Sequence, residues 1–216
     1  MQSILITGAS GNMGQALVKK FLAGGWKVAG TLLPNDPVKP EFNHPSFTGI
    51  TVDLMNETDA TNMVQQLGKT DAAVLTVGGF AMGDIASTSS ANILQQYKLN
   101  FETAYHVARP LLVQMMQQHS GRIFLVGSRP GMNMKNSRGM TAYGLAKSLI
   151  FRLAELMNEE AAGTDVKTFV IVPSTIDTPQ NRAAMPNADF SKWVTPQAIA
   201  DTVFTYCTDN AAGKEM

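Results

Sequence analysis

Short apolar runs alternate along this chain with stretches in which apolar residues recur every three to four positions, a pattern that predicts strands and helices by turns. The first run, residues 3–7, leads into a glycine turn over residues 8–14 and a helix over residues 15–23. A second strand is expected at 26–33, a proline-studded loop at 34–45 and a third strand at 49–53. Next come a helix at 57–67, a fourth strand at 72–77 that stops at Gly78 and Gly79, a polar loop, and one long helix from about Ser90 to Gln118 kinked by Pro110. A fifth strand at 122–127, a flexible loop at 132–139, a helix at 141–160 and a sixth strand at 166–172 follow. Residues 173–193 read as irregular. Thr195 and Pro196 then open a last helix to about Tyr206, threonine as N-cap and proline at the first helical position.

Six apolar strands with helices between them imply an α/β fold, a doubly wound parallel sheet covered on both faces, with ligands at the carboxyl ends of the strands. A length of 216 residues suits one compact domain over residues 1–216, and no internal repeat is visible. Met132, Met134 and Met140 share one loop, where adaptable packing is expected.

Charge narrows the choice of partner. Lys plus Arg and Asp plus Glu both number 17, and no basic stretch appears, which argues against a nucleic acid or an anionic membrane and for a small-molecule substrate. Cys207 is the only cysteine, so no disulfide forms within the chain, as suits a reducing compartment. With no cleavable leader pattern and no apolar run long enough to span a bilayer, a cytoplasmic location is expected.

Two motifs carry chemistry. Gly8, Gly11 and Gly14 form a Gly-x-x-Gly-x-x-Gly turn between a strand and a helix. There the backbone turns tightly, and a pyrophosphate can sit on the free N–H groups at the helix start. Tyr143 and Lys147, four residues apart on the helix at 141–160, share one helical face. A phenol titrates near ~10, and a neighbouring cation favours the phenolate, so Lys147 is expected to pull Tyr143 toward neutrality as a proton donor. His44, His106 and His119 are scattered, and no metal is assigned.

With these motifs the chain resembles the short-chain dehydrogenase/reductase family over nearly its whole length, which implies a Rossmann-type sheet and NAD(P)H-dependent hydride transfer. The resemblance implies a cofactor site made of Gly8, Ser10, Gly11, Asn12, Met13 and Gly14 at the pyrophosphate, Asp53 and Leu54 at the adenine, and Gly78 and Gly79 beside the ribose. Pro173, Thr175, Ile176 and Thr178 would face the nicotinamide, Thr178 holding its carboxamide. Lys147 would bond the nicotinamide ribose, Ser128 the substrate oxygen, and Asn100 a proton-relay water. Tyr143 would be the proton donor. The alternatives are that Ser128 caps the next loop, Asn100 faces water and Asp53 caps the helix near Glu57, the last compatible with the adenine role.

A narrower likeness, over residues 177–193 and at Gly78-Gly79, is to dihydropteridine reductases and their bacterial relatives, although those tend to lack a serine equivalent to Ser128. The family usually has a further strand after the last helix, where this sequence has residues 210–216. The helices beginning near Ser90 and Thr141 resemble those by which the family dimerises, so a homodimer or homotetramer is expected. Thr31-Leu32-Leu33 offers no acid for a ribose 2′-hydroxyl and Lys39 is several residues on, which gives a slight expected preference for NADP over NAD. A non-catalytic NAD(P) sensor would not need both Tyr143 and Lys147. A sugar epimerase, suggested by the glycine spacing, would need a longer chain.

Overall fold

Alternation along the first strand sends Ile4 and Ile6 to one face of the sheet and Leu5 to the other, and each face is buried. Ile4 and Ile6 pack with Leu17 and Phe21 of helix α1 (Asn12–Ala23) and Ile199 and Val203 of helix α8 (Pro196–Thr208). Leu5 joins Met63 of α2 (Glu57–Leu67), Leu111 and Met115 of α4 (Thr103–Gln117), and Ile150 and Met157 of α6 (Thr141–Glu160). Each such side chain contributes roughly 1.5–3 kcal/mol relative to exposure, enough to fix the register of every strand that carries one.

The protein is described by a computed structural model over residues 1–36, 39–135 and 137–209. Residues 210–216, and with them the question of a further strand, lie outside the described residues. The strands β1 (Ser3–Thr7), β2 (Lys27–Leu32), β3 (Phe47–Thr51), β4 (Ala72–Leu75), β5 (Ser120–Val126) and β6 (Asp165–Ile171) form one sheet in the order β3-β2-β1-β4-β5-β6. Every neighbouring pair is parallel. The strand order reverses between β1 and β4, which opens a crevice at their carboxyl ends.

The departures from the expected boundaries have local causes. Helix α1 starts at Asn12 rather than residue 15, because the Gln15 N–H already bonds the Gly11 carbonyl at 2.8 Å. Strand β3 begins at Phe47, whose ring stacks on Phe42 at 4.7 Å, and ends at Thr51. Strand β4 ends at Leu75, since the Thr76 N–H turns to the Thr7 hydroxyl at 3.0 Å. The long helix is α3 (Ser90–Tyr97) and α4 joined by a π-helical segment, Lys98–Glu102. Pro110 sits inside α4, and the irregularity lies in the π segment. The loop after β5 opens with α5 (Arg129–Met132), leaving Met132 and Met134 exposed rather than packed. Residues 173–193, expected to be irregular, contain α7 (Pro179–Ala184) and a 3-10 turn, Phe190–Lys192.

Candidate active site

Because all six strands run the same way, the loops after β1, β3, β4, β5 and β6 leave the same, carboxyl end of the sheet, and every candidate residue lies in them or in the helical segments that follow. The glycine turn follows β1. Gly8 adopts φ +65°, which only glycine takes without strain, and a Cβ on Gly14 would lie 2.1 Å from the Gly8 carbonyl oxygen. Helix α1 therefore abuts the turn, and its N-cap Gly11 offers no side chain to the first N–H groups. These are the donors a pyrophosphate would use, so the turn fits a dinucleotide. Sequence reasoning missed what holds it: Thr31 accepts the Gly8 N–H on its hydroxyl at 2.9 Å and the Ala9 N–H on its carbonyl at 3.0 Å, and Thr76 donates its hydroxyl to the Thr7 carbonyl at 2.6 Å.

Asp53 accepts the Met55 N–H at 2.9 Å and tightens the turn after β3. The cap of α2 is Asn56 instead, accepting from the N–H groups of Thr58 and Asp59. Leu54 is buried, and its carbonyl meets His106 Nδ1 at 3.0 Å.

The turn after β4 is clamped by Asn100. Its amide oxygen accepts the Gly79 N–H at 3.1 Å, while its amide nitrogen donates to the Gly79 carbonyl at 3.0 Å and to Gln96 Oε1 at 3.0 Å. Asn100 is thus buried and satisfied, not solvent-facing. Gln96, also buried, completes the clamp and was not singled out in the sequence. A Cβ on Gly78 would come within 2.7 Å of Asn100 Oδ1 and 3.3 Å of Lys147 Nζ, so the glycine admits both side chains to the backbone.

Strand β5 and helix α6 bring the remaining groups together. Lys147 is 5 % exposed, and its ammonium donates to the Val126 carbonyl at 2.8 Å. Ser128, two residues further along, accepts the Gly131 N–H at 3.2 Å as the cap of α5, and its hydroxyl lies near enough to Tyr143 to lower the phenol's pKa. Capping and contact with the phenol are therefore compatible. Phe80 stands edge-on to the Tyr143 ring at 5.0 Å. The electrostatics differ from the sequence expectation: burial raises the Tyr143 pKa, opposed by the Ser128 hydrogen bond rather than by Lys147. Burial pulls Lys147 itself down to about 8.

After β6, Thr178 is buried and caps α7 by accepting the Asn181 N–H at 3.2 Å. Thr175 and Ile176 are tied to Val194, whose N–H bonds the Thr175 carbonyl at 3.0 Å and which forms a parallel bridge with Ile176. Asp177 holds Arg182 through two bonds of 2.6 and 2.8 Å, and the guanidinium lies 4.6 Å from the centre of the Phe190 ring. Asn12 of the glycine turn donates to Gln180 Oε1 at 2.9 Å, a link between the two ends of the site.

The short chain dehydrogenase family model matches residues 2–189. Among curated proteins, the chain is 27% identical to the cyclic-di-GMP-binding biofilm dispersal mediator protein of Escherichia coli, covering 87% of this chain and 78% of the other. It is also 27% identical to the dihydropteridine reductase of Dictyostelium discoideum, over 97% of this chain and 89% of that one. The crystal structure of BdcA in complex with NADPH superposes with a TM-score of 0.81, covering 95% of this chain and 86% of that chain at 24% identity, a likeness of fold. No helix among the described residues is long and apolar enough to cross a membrane. The chain belongs to the short-chain dehydrogenase family and is an NAD(P)-dependent oxidoreductase.

Proposed function

We propose that the protein reduces a small carbonyl or quinonoid compound, with Ser128 orienting the substrate oxygen and Tyr143 delivering the proton. The reading rests on one observation: Ser128, at the end of β5, lies near enough to the Tyr143 phenol to lower its pKa, with the buried Lys147 ammonium one helical turn along the same face of α6. When bound, NADH or NADPH would supply the hydride. Ser128 and Tyr143 would then converge on the oxygen that gains negative charge, while Lys147 would hold the nicotinamide ribose. Asn100 fixes the Gly78-Gly79 wall against the adenosine side and keeps the backbone ready for the relay. Phe80, Met82 and Met134, all at least half exposed beside this edge, would offer an apolar wall to a planar substrate.

Pterin reduction is the second reading, favoured by the likeness of residues 177–193 and by the dihydropteridine reductase relative. We also propose that two copies pair through the exposed stripe Leu145, Leu149 and Leu156 on α6. The deciding experiment mixes the protein and each reduced nicotinamide with menadione, a small aliphatic ketone and a quinonoid dihydropterin, and follows nicotinamide oxidation. Oxidation dependent on one of these acceptors is expected. Saturable cofactor binding without oxidation by any of them would favour a sensor and overturn the reading.

Residues 180–187 are mostly exposed between the Asp177 and Val194 anchors, so saturating NADPH or NADH should slow proteolysis there and change Trp193 emission in a Trp26→Phe background. Equal protection and unchanged emission would make the segment fixed structure rather than a lid.

A further inference from the structure

A strand at the rim of a sheet presents unpaired N–H and C=O groups to which another strand can add, and one rim of this sheet is β6. In a parallel strand successive residues turn their peptide groups alternately to either side. Asp165 and Ile171 face β5, since the Asp165 N–H bonds the His119 carbonyl at 3.1 Å and the Ile171 carbonyl accepts the Gly127 N–H at 2.9 Å. Val166, Thr168 and Val170 therefore face outward. Side chains already hold the first two. The Thr164 hydroxyl, which donates to the Ala161 carbonyl at 2.7 Å, accepts the Val166 N–H at 3.2 Å. At Thr168, Asn158 of α6 reaches round the rim: its amide nitrogen donates to the Thr168 carbonyl at 2.8 Å, and its amide oxygen accepts the Thr168 N–H at 2.8 Å. A side-chain amide carries a donor and an acceptor side by side, as a peptide group does, so Asn158 stands where the backbone of an added strand would pair. Lys167, exposed between the two caps, places a charge on the same rim.

We infer that Asn158 and Thr164 seal the free edge of β6, so that copies of the protein do not associate by running one sheet into the next. A strand arriving from a second copy would have to displace the Asn158 amide, exchanging its two bonds for two of the same kind, and would have to order its own backbone as well. Nothing is gained by the exchange. What stays open is Val170, near the end of β6 and shortly before Pro173, which has no N–H to offer. That is too short a ladder to hold a strand. Association is left to the helical faces. The inference stands apart from the cofactor site and from the reaction carried out there.

Residue-resolved amide exchange in the wild type and in Asn158→Ala tests it, together with light-scattering mass over a wide range of concentration. In the wild type the Val166 and Thr168 amides should exchange slowly and the Val170 amide fast, a contrast that an added strand would erase by protecting all three. In Asn158→Ala, Thr168 should exchange roughly five- to tenfold faster, and the mass should climb with concentration beyond that of the wild type. A Val170 amide as well protected as Thr168 in the wild type overturns the inference, whether or not the variant folds. So does an unchanged Thr168 rate in the folded variant, or a mass no greater than that of the wild type once Thr168 has been freed.

Discussion

Tyr143→Phe is expected to lower turnover roughly 10²- to 10⁴-fold while leaving NADH and NADPH dissociation constants almost unchanged. The substitution removes the phenol hydroxyl near Ser128, whereas the ring's edge contact with Phe80 survives it, so the site should keep its shape. The pH profile supplies a second readout. Burial raises the Tyr143 pKa above its usual value of 10.0, so the donor stays protonated through neutrality and reductive activity should fall only as pH rises through that raised value. Single-turnover rates of the two proteins with one substrate and saturating reductant decide the matter. Comparable rates would remove Tyr143 from the chemistry.

A second large effect is expected at Lys147, where function and stability oppose each other. Burial lowers its pKa from 10.5 to about 8. Below about pH 8 the ammonium is charged in both folded and unfolded chains, and the full cost of burying it is present. As pH rises from 8 toward 10.5, the folded protein holds a neutral amine while the unfolded chain still binds a proton, and the cost fades. Lys147→Met carries no such cost at any pH. The stability difference between wild type and Lys147→Met should therefore move in favour of the wild type by about 2–3 kcal/mol between pH 7 and pH 10. Urea unfolding of both proteins across that range measures it, and a difference that stays flat would mean the ammonium is not desolvated. The variant should also bind both cofactors roughly tenfold more weakly, having lost a charged donor to the ribose.

Most of the sheet was legible because its strands are buried on both faces and so read as short continuous apolar runs: Ile4, Leu5 and Ile6 feed two cores, and no loop is needed to see it. Tyr143, Lys147 and Ser128 were legible because helical spacing and a strand end place them without long-range information. What escaped depends on where loops travel. Asp36 reaches Ser10 across 26 positions, and Gln180 reaches Asn12 across 168, neither marked by any local pattern. Gln96 and Asn100 are an ordinary i, i+4 polar pair in sequence, and only the packing of Gly79 against them makes them a clamp. The electrostatic error at Tyr143 has the same origin. Spacing sets Lys147 on the right face, but the ammonium is turned to the Val126 carbonyl, a group on another element.

The π-helical segment Lys98–Glu102 fits one residue more into the helix through the site than an α turn would hold. That residue is absorbed in a single wide turn, so the flanking rods α3 and α4 keep their phase, and Asn100 stands inside the wide turn with Gly79 and Gln96 in reach. Excising one residue there would let the ladder close as plain α-helix with both rods nearly unmoved, and the loss would fall on Asn100 and the Gly79 backbone it clamps. A shortened homologue would keep both rods and lose the support between them.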